Sequence, residues 1–302
     1  MDQASNLRRI IRSTSEKQAL AGASTGSAAA EGSGSPVVIS ITSGKGGVGK
    51  SNIVGNLAIA LQWRGQRVLI MDADLGLANI DIIYNLKPTA TIADVISGEK
   101  EISQIIVKGP ENVSVIPASS GIEDLANLSE GHKANLLSEF DTLNQAYDVL
   151  LIDTGAGISS NVIYFNLAAQ KRYVIVTPEP TSITDAYALM KVMHNRYGTE
   201  HFTILMNMVQ SEREAMAVFR HLSDVSSRFL TNVVLSYAGH IPFDRHLGKA
   251  VLLRRPVICS HPETACSRGF AKLADTVLQQ LHEHPLDGNI KFFLRKLVDR
   301  PV

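Results

Sequence analysis

The stretch SGKGGVGKSN, Ser43 to Asn52, decides the fold. It contains the pattern G-x-x-x-x-G-K-[ST] from Gly44 to Ser51, and it lies between an apolar run and a helical pattern. That context is typical of a phosphate-binding loop, in which glycines allow backbone N–H groups to surround an anion. We therefore predict a nucleotide site at this loop. Its predicted loop contacts are Gly44, Lys45, Gly46, Gly47, Val48, Gly49, Lys50, Ser51 and Asn52.

Seven short apolar segments elsewhere in the chain read as strands. They are VVISI (37–41), RVLIMD (67–72), VSVIPA (113–118), DVLLID (148–153), YVIVT (173–177), FTILMN (202–207) and VVLSYAGHI (233–241). Most are apolar at successive residues, which is typical of strands covered on both faces. Helical patterns separate them, so the fold class is α/β, a single doubly wound and mostly parallel sheet flanked by helices.

One of those helical patterns is especially regular. It covers residues 211–230, with an apolar period close to that of an α-helix. We predict that its buried face consists of Ala215, Val218, Phe219, Leu222, Val225, Ser226 and Phe229.

Composition limits the classes of partner and compartment. Formal net charge is zero and the pI is about 7.1, so no overall basic field draws the protein to nucleic acid, and no nucleic-acid partner is expected. Cys259, His261 and Cys266 lack the paired spacing of a zinc site, and we expect two free thiols in a reducing cytoplasm. The stretch MDQASNLRRIIRS has no apolar core of signal-peptide length, so we do not expect export, and no apolar run approaches the roughly 20 residues of a spanning helix. We predict a cytoplasmic protein that touches a membrane only peripherally.

Acidic residues follow the carboxyl ends of two predicted strands. Asp153 ends DVLLID and precedes TGAG, as in a Walker B strand, while Asp72 and Asp74 follow the second strand. Mg²⁺ takes few protein oxygens and several waters. We predict that Lys50 reaches the β- and γ-phosphates and that Asp74 orients the attacking water. The predicted metal-site residues are Ser51, Asp72, Asp74 and Asp153, with helix capping as the alternative for Asp72 or Asp74.

The identity of the nucleotide base is predicted from the absence of a guanine-recognition motif. A GTPase often carries N-K-x-D after a late strand, but this chain has LMNMVQ at 205–210, with Asn207 and without the lysine and aspartate. Adenine is therefore favoured, and the predicted cofactors are ATP or ADP with Mg²⁺.

The second lysine of the loop, Lys45, points to a family. KGGVGKS resembles the deviant Walker A loop of the MinD/ParA family of ATPases. The resemblance implies that Lys45 reaches the nucleotide of a partner subunit across an ATP-dependent homodimer. A cation supplied in trans acts like an arginine finger in phosphoryl transfer. It implies slow, dimer-dependent ATP hydrolysis with Lys45, Lys50 and Asp74 as catalytic residues.

Within this family the chain resembles the FlhG group, also called FleN or YlxH, which regulates flagellar number. LGLANIDIIYNLKPTATIADVISGE and EPTSITDAYALMK carry this likeness. It implies that Glu179 touches the ribose across the dimer and that Asn207, Pro242 and Asp244 lie at the base. The implied partners are flagellar basal-body (C-ring) components and a flagellar transcriptional regulator.

The start of the chain fits the same group. DQASNLR matches a motif that, by this resemblance, stimulates the FlhF-type GTPase. We predict a partner-activating helix over residues 1–12, a flexible linker rich in Ser, Ala and Gly over 13–35, and an ATPase domain over 36–284. The predicted partner contacts are Asp2, Gln3, Ala4, Leu7 and Arg8.

The end of the chain, residues 285–302, reads as a basic amphipathic helix. Its apolar face consists of Ile290, Phe293, Leu294, Leu297 and Val298. Such a helix can lie in a membrane interface, here the inner face of the cytoplasmic membrane, as in MinD relatives. Packing on the protein's own core is the alternative.

Three other functions remain open on the same fold. The first is another MinD/ParA positioning ATPase, for the division site, a chromosome or a plasmid. The second is an iron–sulfur carrier, which is remote because no cysteine precedes Cys259. The third is a metabolic ligase that uses the same loop, and the N-terminal motif and C-terminal helix argue against it.

Overall fold

The computed structural model describes residues 36–74, 79–117 and 130–283. The predicted partner-activating segment 1–12, the linker 13–35 and the C-terminal helix 285–302 lie outside these residues and stay predictions. Within the described part, no helix is long and apolar enough to cross a membrane.

The predicted single sheet is confirmed. It has eight strands in the order β3-β4-β2-β5-β1-β6-β7-β8, and every neighbouring pair is parallel except β3 and β4. The strands are β1 Val37–Ser43, β2 Val68–Ala73, β3 Val107–Lys108, β4 Ser114–Ile116, β5 Val149–Ala156, β6 Lys171–Val176, β7 His201–Val209 and β8 Val234–Pro242.

Helices cover both faces of this sheet. They are α1 Lys50–Gln62, α2 Ile80–Tyr84, α3 Ile92–Ile96, α4 Ile102–Ile105, α5 Glu130–Asp141, α6 Ser160–Ala168, α7 Pro180–Tyr197, α8 Glu212–Phe229, α9 Arg245–Leu252, α10 Val257–Ser260 and α11 Ala265–Glu283. Successive side chains of one strand enter opposite cores. In β1, for example, Ile39 packs into the core with α1 and α11, whereas Val38 packs into the core with α3 to α6. The unbroken apolar strands follow from this two-sided burial.

Two details differ from the sequence-based predictions. The antiparallel edge strand β3 is only two residues long and has no readable apolar pattern. Phe229, predicted to be buried on the helix over 211–230, is 70% exposed, because α8 ends there and the next residue, Leu230, is buried instead.

The parallel arrangement positions the candidate site. The carboxyl ends of β1, β2, β5, β6 and β7 meet at one edge of the sheet, where ligands of such folds bind. The loop over 44–49 follows β1 at this edge and leads directly into α1.

Candidate nucleotide site

The loop after β1 has the backbone of a phosphate cradle. Gly47 and Gly49 have φ angles of 78° and 90°, in the left-handed region that glycine adopts without steric cost. A Cβ built on Gly46 or Gly47 would meet no atom within 4 Å, so this side of the loop is open. Gly49 is the residue before the thirteen-residue helix α1. An open glycine turn at a helix amino terminus fits an anion such as a phosphate.

Two contacts from distant parts of the chain hold the loop. A Cβ on Gly44 would lie 2.0 Å from the backbone oxygen of Asp185 in α7, so only glycine fits there. At the end of β7, Nδ2 of the buried Asn207 donates to the backbone oxygen of Val48 at 2.7 Å. The loop is therefore fixed on both sides by its neighbours.

A buried carboxylate lies beside the loop. Asp153 of β5 is opposite Asp72 of β2 in the parallel register, and its side chain is fully buried. Neither of its carboxylate oxygens has a hydrogen-bond partner within the described residues. Burial and, secondly, the charge of Asp72 raise the pKa of Asp153 to about 8, although Ser51 and Lys50 oppose this. An ionised carboxylate here requires a cation or a metal-bound water.

Asp72 is engaged by the backbone. Its Oδ1 accepts from the N–H of Asp74 at 3.2 Å, and its Oδ2 accepts from the N–H groups of Asn79 and Ile80 at 3.0 and 3.1 Å. Burial raises the pKa of Asp72 to about 6, against the effect of these hydrogen bonds. The arrangement favours the capping alternative, in which Asp72 fixes the start of α2. Asp74 is partly exposed and lies near Gly155 of β5.

Lys50 is the cation at the centre of this cluster. Its side chain is 7% exposed, and burial lowers its pKa while the charges of Asp153 and Asp74 raise it. A buried ammonium group at the start of α1, next to an open glycine turn, is suited to a polyanion.

The residues fit Mg²⁺ in the way that this ion is usually held. Across the described ranges, no group of three or more His, Cys, Asp or Glu side chains forms a closed metal centre. Mg²⁺ commonly takes one or two protein oxygens and completes its shell with phosphate oxygens and water. The unpartnered carboxylate of Asp153 and the hydroxyl of Ser51 at the first turn of α1 match that requirement.

The other lysine of the loop faces outward. Nζ of Lys45 lies 2.5 Å from Oε2 of Glu179 and 2.9 Å from Oγ1 of Thr181, both at the start of α7. Neither the pairing of Glu179 with Lys45 within one chain nor the contact with Thr181 was predicted from the sequence. More than 130 residues separate them from Lys45, so only the fold brings them together.

The residues predicted to touch the base lie at neighbouring strand ends. Pro242 ends β8, and Asn207 lies near the end of the adjacent strand β7, opposite Ile241. The Asp244 side chain caps α9, because its Oδ1 accepts from the backbone N–H of His246 at 2.9 Å. Burial would raise the pKa of Asp244, but the hydrogen bonds from His246 outweigh it and lower that pKa. Its carboxylate is thus already engaged within the chain.

Comparisons with known proteins agree with this geometry. A family model described as ParA, NUBPL iron-transfer P-loop NTPase, matches residues 35–278. The chain is 42% identical over 269 residues to the antiactivator FleN of Pseudomonas aeruginosa, covering 88% of this chain and 94% of FleN. It is 33% identical over 268 residues to the flagellum site-determining protein YlxH of Helicobacter pylori, covering 87% and 90% of the two chains.

A solved structure shows the same fold with a nucleotide. The septum site-determining protein MinD of Pyrococcus horikoshii, complexed with Mg-ADP, superposes with a TM-score of 0.64 at 26% identity. The match covers 80% of this chain and 96% of that MinD. With the family match and the two relatives above, it shows that this chain belongs to the MinD/ParA family of P-loop ATPases, among the relatives of FleN and YlxH.

Proposed function

We propose that this protein is an ATP-dependent switch that dimerises on ATP and regulates flagellar number or placement. The observation that carries the switch is the different placement of the two loop lysines. Lys50 is buried beside Asp153, whereas Lys45 reaches the surface and is held by Glu179. One lysine is thus suited to the chain's own nucleotide and the other to a second subunit. The flagellar role rests on identity to FleN and YlxH.

The site supports hydrolysis by positioning and charge. In this proposal the backbone of Gly46 and Gly47 surrounds the phosphates, and Lys50 contacts the β- and γ-phosphates. Ser51 and Asp153 would hold Mg²⁺, and the bound ion would offset the phosphate charge. Asp74 orients the attacking water, since it lies at the same edge and its side chain remains partly exposed.

Adenine selection follows from one side-chain amide. Because Nδ2 of Asn207 donates to Val48, its Oδ1 is left as an acceptor, and the structure shows no partner for it within the described residues. The exocyclic amino group of adenine is a donor, whereas guanine carries an acceptor oxygen at that position. Asn207 therefore favours ATP over GTP, and Pro242 lies beside it at the end of β8.

The proposed dimer requires Lys45 to change partners. In one chain it is bound to Glu179 and Thr181, and in the dimer it contacts the nucleotide of the other subunit. Glu179 is then free to approach the partner's ribose. The charge of this second lysine would reach the γ-phosphate only in the dimer, so turnover is slow at low protein concentration.

ATP turnover as a function of protein concentration tests this proposal. Wild-type specific activity is expected to rise with concentration, and Lys45→Ala is expected to bind ATP but to lose that rise. Lys191→Ala removes an exposed lysine from α7 and serves as the matched control. A flat wild-type curve, or full activity in Lys45→Ala, contradicts the role in trans.

The two ends of the chain complete the proposal. Residues 1–12 stimulate an FlhF-type GTPase from the end of the linker 13–35, the ATPase domain spans 36–284, and residues 285–302 contact the inner face of the cytoplasmic membrane. C-ring components and a flagellar transcriptional regulator are the further proposed partners. The sequence motifs and the relatives FleN and YlxH support these assignments.

The alternatives fit less well. A general MinD/ParA positioning ATPase uses the same site, and only the function of the N-terminal segment separates it from the flagellar role. The matching family description mentions iron transfer, but cluster binding needs thiolates. The chain has only Cys259 and Cys266, and burial raises the pKa of Cys259 to about 11 and also raises that of Cys266. Burial therefore disfavours the thiolate forms that a cluster needs.

A further inference from the structure

Three consecutive aliphatic side chains are exposed at the end of α9. Val251 is exposed, Leu252 is 85% exposed and Leu253 is 69% exposed. Single exposed leucines are ordinary on protein surfaces, but a contiguous apolar group often marks a contact site. The opposite side of α9 is already packed, because Ala250 is buried and Leu247 contacts the core that includes α1 and α11. Core packing therefore does not explain the three exposed residues.

Positive charge surrounds these side chains. Arg254 and Arg255 follow them directly, and Arg245 and Lys249 lie on the same helix. All four are exposed, and none forms an ion pair within the described part of the chain. The segment 245–262 contains no Asp or Glu, although the whole chain has zero formal charge. This corner, residues 251–255, is thus a local cationic and apolar surface, which we call the α9 corner.

The backbone of the α9 corner adds an independent observation. Arg254 has a φ angle of 50°, in the left-handed region. Its N–H donates to the oxygen of Val251, and the N–H of Arg255 donates to the oxygen of Ala250. This pair of hydrogen bonds commonly ends a helix, and the left-handed residue within it is usually glycine. The chain places an arginine where glycine would be less strained, which points to a role for that side chain.

We propose that the α9 corner is a membrane contact for anionic phospholipid, on the folded body and separate from the C-terminal segment. Protruding leucines next to arginines match a lipid interface, where aliphatic groups enter the acyl boundary and guanidinium groups pair with phosphates. A bound peptide would require a groove. The α9 corner lines neither the cavity of about 360 Å³ between β8 and α11 nor that of about 280 Å³ at the amino ends of β6 and β7.

This contact deepens the proposed membrane association but does not depend on it. If residues 285–302 pack on the protein instead, the α9 corner still predicts binding to anionic vesicles. Leu294→Glu tests the C-terminal segment, and ATP turnover tests the switch, so their failures can be told apart from failure of this contact.

The test is cosedimentation of the full chain with vesicles, in ATP. One set of vesicles contains phosphatidylcholine with phosphatidylglycerol, and the other contains phosphatidylcholine alone. The double substitution Leu252→Ser and Leu253→Ser is expected to weaken binding to the anionic vesicles by about tenfold or more, since two aliphatic side chains lose their burial. Phe229→Ser removes another strongly exposed apolar side chain, at the end of α8, and is expected to leave binding unchanged.

A second variant separates binding from folding. Arg254→Gly is expected to raise the melting temperature, because glycine adopts the left-handed conformation freely, and yet to weaken anionic binding by about fivefold. Wild-type binding that is absent, or equal to that of the double serine variant, overturns the proposal. Loss of ATP-dependent dimerisation in the serine variant with unchanged vesicle binding also overturns it and assigns the surface to a second copy.

Discussion

The ammonium group of Lys45 lies 2.5 Å from a carboxylate oxygen of Glu179 in the same chain. Lys45 belongs to the loop after β1, whereas Glu179 precedes α7. Both side chains are partly exposed, and exposed ion pairs contribute only about 0–1 kcal/mol. The contact therefore holds Lys45 in a defined place and requires little free energy to break. This suits a residue that is proposed to exchange one partner for another.

Thr181 offers a test of that exchange without a change of charge. Its hydroxyl accepts a hydrogen bond from Lys45 at 2.9 Å. Thr181→Val is expected to leave Lys45 held by Glu179 alone and to lower the protein concentration of half-maximal ATP turnover by about twofold to threefold, the value of one exposed hydrogen bond. Thr184→Val is the matched control, since that hydroxyl bonds the oxygen of Pro180 in its own helix. A higher midpoint for Thr181→Val would mean that Thr181 supports the dimer.

Alanine substitutions at Gly44 and Gly46, two positions of one loop, are expected to have very different effects on stability. Gly44→Ala places a Cβ 2.0 Å from the backbone oxygen of Asp185, so the loop and α7 must separate. We expect a loss of stability of about 3 kcal/mol and of tight ATP binding. Gly46→Ala meets no atom within 4 Å and is expected to change stability by less than about 0.5 kcal/mol. Urea unfolding without nucleotide measures both, and equal stability of the two variants would contradict the packing argument.

The sequence predicted the central strands well because they are covered on both faces. Runs such as VLLI (149–152) are apolar throughout, so their pattern can be recognised without knowledge of tertiary contacts. The end of α8 was harder to predict. Phe229 and Leu230 are both apolar, and only the point at which the helix stops decides that the second is buried. The pairing of β3 with β4 depends on a contact across the sheet edge that two residues cannot encode.

The candidate site likewise contains parts that could be predicted from the sequence and parts that could not. The phosphate loop and Asp153 were predictable because each lies next to a strand within one short motif. Capping of α2 by Asp72 was one of two alternatives that the sequence left open. The contact of Lys45 with Glu179 was not predicted, since it depends on how distant segments meet. Local motifs therefore identify the candidate chemistry, and long-range contacts decide which carboxylate is available for it.

Alanine substitutions of Asp72 and Asp74 are expected to differ in their effect on the stability of the protein, although both residues lie at the site. Asp72→Ala leaves the backbone N–H groups of Asp74, Asn79 and Ile80 without their acceptor, which costs about 2–3 kcal/mol. Asp74→Ala is expected to cost less than about 0.5 kcal/mol and to retain ATP binding and dimerisation, while turnover stops. Urea unfolding and ATP turnover measured together check this. Similar destabilisation by both changes would show that Asp74 is also structural.

The ion pair between Arg67 and Asp148 is expected to make the stability of the fold depend on pH. Nη2 of Arg67 donates to Oδ1 of Asp148 at 2.7 Å. Burial would raise the pKa of Asp148, but hydrogen bonds from Arg67 outweigh it and lower that pKa. A depressed carboxylate pKa stabilises the fold above the unfolded pKa of about 4, and this contribution disappears as pH falls through the folded pKa.

Asp148→Asn should therefore reduce the stability of the fold only at pH values above the folded and unfolded pKa values of Asp148. We expect it to reduce the free energy of unfolding by about 1 kcal/mol near neutral pH, a small value because the Arg67 side chain is half exposed. The difference from wild type should vanish toward about pH 3. Asp224→Asn, on the exposed side of α8, is the control and should show no such trend. A difference that persists in acid would assign the effect to packing.

Substitution of Gln3 distinguishes the flagellar role from that of a general positioning ATPase. The proposed activator segment works at the end of a linker of about 20 residues, whose root-mean-square reach is roughly 25 Å. The two activities should therefore be separable in the full chain. Gln3→Ala is expected to lose most stimulation of an FlhF-type GTPase while keeping its own ATP turnover, because a side-chain amide can position water or a catalytic group. Lys50→Ala is expected to do the reverse. If stimulation instead requires bound ATP and survives Gln3→Ala, the tethered activator is wrong and the general positioning role becomes the better explanation.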